Sequence, residues 1–321
     1  MRSPRTLLAL PLLAAAVALT LSGCTGAAAS SPSSSGGTIQ VVASTNVYGD
    51  IAQTVGGSAV QVTSIIANES QDPHDFEASA ADQLTVKNAQ LLIENGGGYD
   101  PFLDQLVQAT GSTAPMITAA TLSPEYPADG NTAEHKDDAD HAHDHLEGFN
   151  EHVFYDPAVM KTVAAKIATE LGALDPSQAA TFTANAQAFG TQMDTIEQSI
   201  ATIAAAHAGA GVFVTEPLPL YLTDTAGLDN VTPVAFSEAV EGGQDVPPAT
   251  LLQALALISD GSAKVVIVNA QAAGAETTQV EDAAKAANVP VLKFSEILPA
   301  GQTYAQWMQQ NVTQLADALG K

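Results

Sequence analysis

Side chains able to hold a metal ion are concentrated in residues 134–157, EHKDDADHAHDHLEGFNEHVFYDP. This stretch contains five of the seven histidines together with eight Asp or Glu residues. Imidazole and carboxylate are ligands of divalent first-row metals, so the composition points to metal chemistry before any fold is considered. The stretch divides in two. His135, His141, His143 and His145 lie among Asp137, Asp138, Asp140 and Asp144 with almost no large apolar residue. Such a tract cannot pack into a core and is expected to be a solvated loop, either an auxiliary low-affinity metal collector or an inert spacer. His152 stands instead in HVFYDP, a single imidazole among apolar residues just before a helix start. Other chemistries find little support. HAHDH at 141–145 is one residue short of the H-x-H-x-D-H of binuclear metallohydrolases, and Gly96 to Gly98 lack the G-x-G-x-x-G order and read as a turn. The sequence contains no Ser-His-Asp or P-loop pattern.

The elements that must position these residues follow from hydrophobic patterning. Strands are expected at 38–44, 59–66 and 90–94, with helices at 48–55, 78–89 and 101–109. Asp156-Pro157 and Asp175-Pro176 each open a helix with Pro at its first position. The second of these runs to about His207, carrying Phe182, Ala186, Phe189, Met193, Ile196 and Ile200 at spacings of three and four, so one apolar stripe runs along a spine between two halves. Beyond it the alternation resumes. Strands are expected at 212–215, 231–235, 265–269 and 289–294, and helices at 218–226, 248–258, 277–287 and 304–319. Strands alternating with helices imply an α/β fold, two Rossmann-like lobes with parallel sheets joined by a long backbone helix.

In open α/β lobes ligands gather at the carboxyl ends of strands. Four positions satisfy that rule: His74 in QDPHDFE after the second strand, His152 before its helix, Glu216 after the strand at 212–215, and Glu296 after the last strand. Two imidazoles and two carboxylates from four separate loops would form a closed cage suited to Mn2+ or Zn2+.

Charge and the N-terminus bound the setting. With 35 acidic against 10 basic residues the net charge is -25, a field that repels nucleic acid and anionic lipid and attracts cations. Two arginines, an apolar run from Leu7 to Thr20 and then Leu-Ser-Gly-Cys24 form an export signal resembling a bacterial lipobox. That resemblance makes Cys24 the lipidated first residue of the mature chain. Because it is the single cysteine, an internal disulfide and a thiolate metal site are both excluded. Residues 24–37, rich in Ala, Gly and Ser, read as a flexible tether.

The lipobox, PHDFE at 73–77, the acidic His-rich tract before His152, the long middle helix and the second α/β lobe together resemble the cluster A-I metal-binding lipoproteins. These are the solute-binding proteins of zinc and manganese ABC importers, and the similarity covers nearly the whole mature chain. The resemblance implies that His74, His152, Glu216 and Glu296 are the metal ligands. Zinc-type members usually carry His at the position of Glu216, whereas the His-rich loop is itself zinc-like, so the choice of metal stays open. His207, a competing third ligand, precedes its strand and reads as a helix C-terminal cap. The expected organisation is a signal peptide at 1–23, a tether at 24–37, an N-terminal lobe at 38–157 including the loop 130–149, linking helices at 158–209, and a C-terminal lobe at 210–321. The expected function is capture of one divalent transition metal, Zn2+ or Mn2+, in the cleft by a monomeric lipoprotein held on the outer face of the cell membrane through Cys24. The ion then passes to the permease of an ABC transporter, with no catalysis and no nucleic acid partner. A secreted metallohydrolase using the same side chains, and a surface adhesin or metal-storage protein, are the alternatives.

Overall fold

A computed structural model describes residues 37–74, 76–127, 146, 148–272 and 274–320. The signal segment with Cys24, and His135, His141, His143 and His145, lie outside the described residues. The described chain contains two sheets. The first is built from β1 (Ile39–Thr45), β2 (Val60–Ile66), β3 (Leu91–Glu94) and β4 (Met116–Thr118), with α1 (Asn46–Gly56), α2 (Ala80–Lys87) and α3 (Pro101–Thr110) as crossovers. It is parallel throughout, in the order β2-β1-β3-β4. Next come α4 (Pro157–Leu174) and α5 (Ala179–His207). The second sheet contains β5 (Gly211–Val214), β6 (Asp229–Asn230), β7 (Val265–Asn269) and β8 (Val291–Phe294), with α6 (Leu220–Thr225), α7 (Val234–Glu241), α8 (Pro248–Ser259) and α9 (Ala275–Ala287) between them. It repeats the first in order, β6-β5-β7-β8, again parallel, and α10 (Tyr304–Leu319) closes the chain.

The apolar runs are buried on both faces because successive side chains point to opposite sides of a strand. Val41, Ala43, Leu91 and Ile93 point into a central core, whereas Val42 and Leu92 point outward beneath Phe102, Leu103 and Leu106 of α3. The second sheet repeats the pattern, with Val212, Val214, Val265 and Ile267 facing the center. Phe213, Val266 and Val268 face outward against Phe236, Val280 and Ala284. The central core is continuous from α1 and β1 through α4 and α5 to β5, β7 and α10. The predicted stripe of α5 is its middle: Phe182, Phe189, Met193, Ile196 and Ile200 are all buried. At 29 residues this helix is about 43 Å long, enough to run behind both sheets.

Helix starts follow capping chemistry. Asp156 accepts hydrogen bonds from the backbone of Ala158 at 2.8 Å and Val159 at 3.4 Å, with Pro157 at the first position of α4. Thr303 with Gln306 and Ser79 with Asp82 form capping boxes on α10 and α2. One expected strand is replaced. Residues 231–235, rich in β-branched side chains, form no strand: the two-residue β6 lies before them at Asp229–Asn230, and Val234 already begins α7. Thr232 explains the change: its hydroxyl both accepts from Val214 N at 2.8 Å and donates to Val214 O at 3.0 Å, taking over the ladder bonds. Pro233 then has no N–H to continue the pairing. The short β4 and the helix α7 were not anticipated. Among the described residues no helix is long and apolar enough to cross a membrane.

Candidate metal centre

Strand order places a crevice between β1 and β3 in the first sheet and between β5 and β7 in the second, the points where the winding reverses direction. Loops from the carboxyl ends of both sheets converge there. The loop after β2 carries Asp72, Pro73 and His74, and the segment leading into α4 carries Asn150, Glu151 and His152. The turn after β5 carries Glu216, Asn269 ends β7, and Glu296 follows β8.

The two expected histidines meet. The ring centroids of His74 and His152 are 5.9 Å apart, and Tyr99 packs edge-on against both, at 5.0 Å and 5.7 Å. One ligand-capable atom from each of His74, Glu151 and His152 lies within 4.8 Å of the others, and the same holds for Asp72, His74 and Glu296. His74 is thus the shared member of both sets. Glu216 joins the cluster through Asn269, whose Nδ2 donates to Glu216 Oε2 and, at 2.6 Å, to Glu296 Oε1. His207, by contrast, ends α5 at the amino end of β5, the opposite end of that strand from Glu216.

The hydrogen bonds fix which atoms face the cluster. His152 Nδ1 lies 2.8 Å from Asn150 Oδ1, which also accepts the backbone N–H of His152 at 3.1 Å. Asn150 Nδ2 donates to Pro217 O at 3.0 Å, so its carbonyl must be the atom on the imidazole side. His152 therefore carries its proton on Nδ1 and leaves Nε2 as a donor atom for a cation. Asp72 Oδ1 accepts His74 N at 2.9 Å, setting the turn that presents the His74 ring. Glu296 Oε2 is buried without a hydrogen-bond partner among the described residues.

The electrostatics are lopsided. His152, Glu151, Glu216 and Glu296 are 1, 2, 5 and 2% exposed. Every lysine among the described residues is exposed, and the two arginines lie outside them. No buried Lys or Arg among the described residues therefore offsets these carboxylates. Burial, with repulsion from Asp72 and Glu151, pushes the Glu216 carboxyl up to about 7 against the pull of its Asn269 bond. Glu296 is raised well above the usual carboxylate range by burial, then by Asp72 and Glu216. A divalent cation supplies the charge that this donor set lacks, so imidazole nitrogens and carboxylate oxygens fit such an ion.

Sequence reasoning passed over Asn269, Asn150, Tyr99 and the part played by Glu151 and Asp72. Asn269 was within reach of the strand-end rule, since it closes the buried strand VVIVN at its carboxyl end. Asn150 and Glu151 flank His152 in sequence but gain their roles only from the loops they meet.

The molecule is a two-lobe α/β binding protein whose cleft is lined by imidazoles and carboxylates. A family model described as the zinc-uptake complex component A, periplasmic, matches residues 41–318, and the chain belongs to that family. The resemblance inferred from the motifs is borne out at this level. The manganese-binding lipoprotein MntA of Halalkalibacterium halodurans is 26% identical over 184 residues, 57% of this chain and 55% of that protein. The high-affinity zinc uptake system protein ZnuA of Yersinia pestis is 24% identical over 216 residues, 63% of this chain and 68% of its own length. The matched segment thus spans about half the length of the first relative. Among solved structures, the periplasmic zinc-binding protein TroA from Treponema pallidum has a TM-score of 0.69 at 17% identity, covering 88% of this chain and 99% of TroA. At that identity the likeness is one of fold.

Proposed function

We propose that this protein is an extracytoplasmic lipoprotein that captures one divalent transition metal, Zn2+ or Mn2+, between its lobes and delivers it to an ABC importer in the cell membrane. The ion is cargo, not a catalytic cofactor. His74, His152, Glu216 and Glu296 are its ligands, and Cys24 is the lipidated anchor. The observation that carries this reading is the set of buried carboxylates around His74 and His152 with no buried Lys or Arg among the described residues. Family membership, with relatives named for zinc and for manganese, supports the cargo class.

The residues divide the work. The Asn150 bond orients the His152 ring and fixes its tautomer, and Asn269 holds the two carboxylates at one spacing. Ligands bind a metal only when deprotonated, so loading releases the proton that Glu216 holds near neutral pH, and affinity falls as pH drops through the histidine and Glu216 range.

Calorimetric titration with Zn2+ and Mn2+ tests the assignment. Wild type shows one tight site, His74→Ala loses it, and a chain lacking Glu134 to Glu147 keeps it. A deletion that abolishes tight binding, or a His74→Ala protein that retains it, overturns the proposal.

A further inference from the structure

Resting on that site assignment, we infer that Glu151 is a fifth side-chain donor to the bound ion and that it biases the site toward a hard, higher-coordinate ion such as Mn2+ over Zn2+. Nothing in the motif that carries His152 requires an acid at the preceding position. Here the carboxylate points inward: Glu151 is 2% exposed, and one of its oxygens lies within 4.8 Å of a ring nitrogen of both His74 and His152. Donors around an ion held at about 2.0–2.2 Å stand roughly 3.0–3.5 Å apart, so a small contraction brings all three onto one ion.

The position is built into the fold. Asn95 Nδ2 donates to Glu151 O at 2.8 Å, and Asn95 is itself fixed at the end of β3: its N–H donates to Asp100 Oδ2 at 2.7 Å and its Oδ1 accepts from Tyr48. The triple-glycine turn supplies the space. Gly97 has φ +71°, and a Cβ there would stand 3.4 Å from Glu151 Cβ and 3.0 Å from the Phe149 ring. The turn that contains no nucleotide-binding pattern therefore lets the backbone carrying Glu151 approach β3 closely.

Asp72 is the other unassigned acid of the cluster, and its circumstances differ. It is half-buried where Glu151 is buried, and its Oδ1 accepts the His74 backbone N–H at 2.9 Å, shaping the turn that presents that ring. With Glu151 the set becomes two imidazole nitrogens and three carboxylates, which reaches a coordination number of five, or six if one carboxylate chelates. Zinc sites in proteins are almost always completed by four donors, whereas oxygen-rich sets of higher number suit manganese.

Two measurements decide it. X-ray absorption on the Mn2+-loaded wild-type protein is expected to show five or six donors, most of them oxygen; a four-donor shell overturns the inference without any variant. In parallel, competition titrations compare wild type, Glu151→Gln and His152→Ala for both metals. Glu151→Gln keeps size and burial, and thermal melting of the metal-free protein checks that it folds. It should lose about tenfold or more in Mn2+ affinity but less than about threefold in Zn2+ affinity. If His152→Ala loses binding while Glu151→Gln keeps both affinities, or loses both equally, the role of Glu151 is refuted and the site assignment stands. If His152→Ala also binds as wild type does, the assignment itself fails.

Discussion

Replacing Asn269 with Ala removes one amide that holds two carboxylates, and its consequences can be worked through. Asn269 Nδ2 donates to Glu216 Oε2 and to Glu296 Oε1, both on residues no more than 5% exposed. A hydrogen bond to a charged group contributes about 1.5–3 kcal/mol, and water entering the vacated space recovers part of the loss. The remainder appears as weaker metal binding, since groups that orient ligands typically contribute about 10–100-fold in affinity, or about 1.4–2.8 kcal/mol. The loss should depend on pH. The Asn269 bond opposes the burial that pushes Glu216 up to about 7, so without it Glu216 holds its proton more tightly still. Below that pKa each further unit costs about tenfold in affinity for an ion that must displace the proton. Chelator-competition titrations from pH 6 to pH 9 should therefore show a deficit that is largest at the acid end and shrinks once Glu216 ionises unaided. Equal affinities at every pH, or a deficit that stays constant across the range, would refute the clamp.

Three further outcomes follow from the same geometry. Glu94, buried and accepting from Thr118 Oγ1 at 2.6 Å, is pushed up to about 8 by burial and by Asp100. The native state then binds more protons than the unfolded chain between the ordinary 4.5 and about 8, so this group lowers the stability of the metal-free protein as pH rises through that window, by on the order of 3–5 kcal/mol. Glu94→Gln keeps the Thr118 bond and should flatten the profile, unfolding at higher denaturant than wild type at pH 9 but not at pH 4; parallel profiles would contradict this. Phe189, 1% exposed on α5 with its ring 5.8 Å from Tyr304 of α10, should cost about 3–5 kcal/mol as Phe189→Ala in chemical denaturation, while the stoichiometry of metal binding by the folded protein is preserved. Asn150→Ala frees the His152 ring and should lower affinity for both metals by about tenfold, with no loss of secondary structure by circular dichroism; an unchanged affinity would mean that the ring is positioned by packing alone.

The fold was legible where burial is complete. IQVVAST, LLIE, GVFV and VVIVN are buried on both sheet faces and read as apolar runs, while Pro157 and Pro248 announce helix starts. It was least legible at sheet edges, where β4 has three residues and β6 two, too few for periodicity to register. In VTPVAF the β-branched residues favored a strand, but a threonine hydroxyl and a proline ended the ladder, and Phe236 turned inward to meet Phe213 at 5.2 Å. His74, His152, Glu216 and Glu296 could be singled out individually as candidates because each sits where a strand or loop ends. The groups that orient them could not, because Asn269 touches residues 53 and 27 positions away and Asn150 reaches Pro217, 67 positions on. The Asn269 pairings join neighboring strand ends of one sheet and the Asn150 bond joins the two lobes, and local pattern carries no trace of either. The four clustered histidines that dominate the composition lie outside the described residues; the single His152 beyond them is the one the cleft encloses.

The most direct test of the account is anomalous diffraction from crystals of the full-length protein loaded with one equivalent of Mn2+ or Zn2+. One strong peak is expected between the lobes, bonded to the imidazoles of His74 and His152 and to carboxylate oxygens of Glu216 and Glu296. A dominant peak elsewhere, or one that leaves His152 and Glu296 unligated, would contradict it.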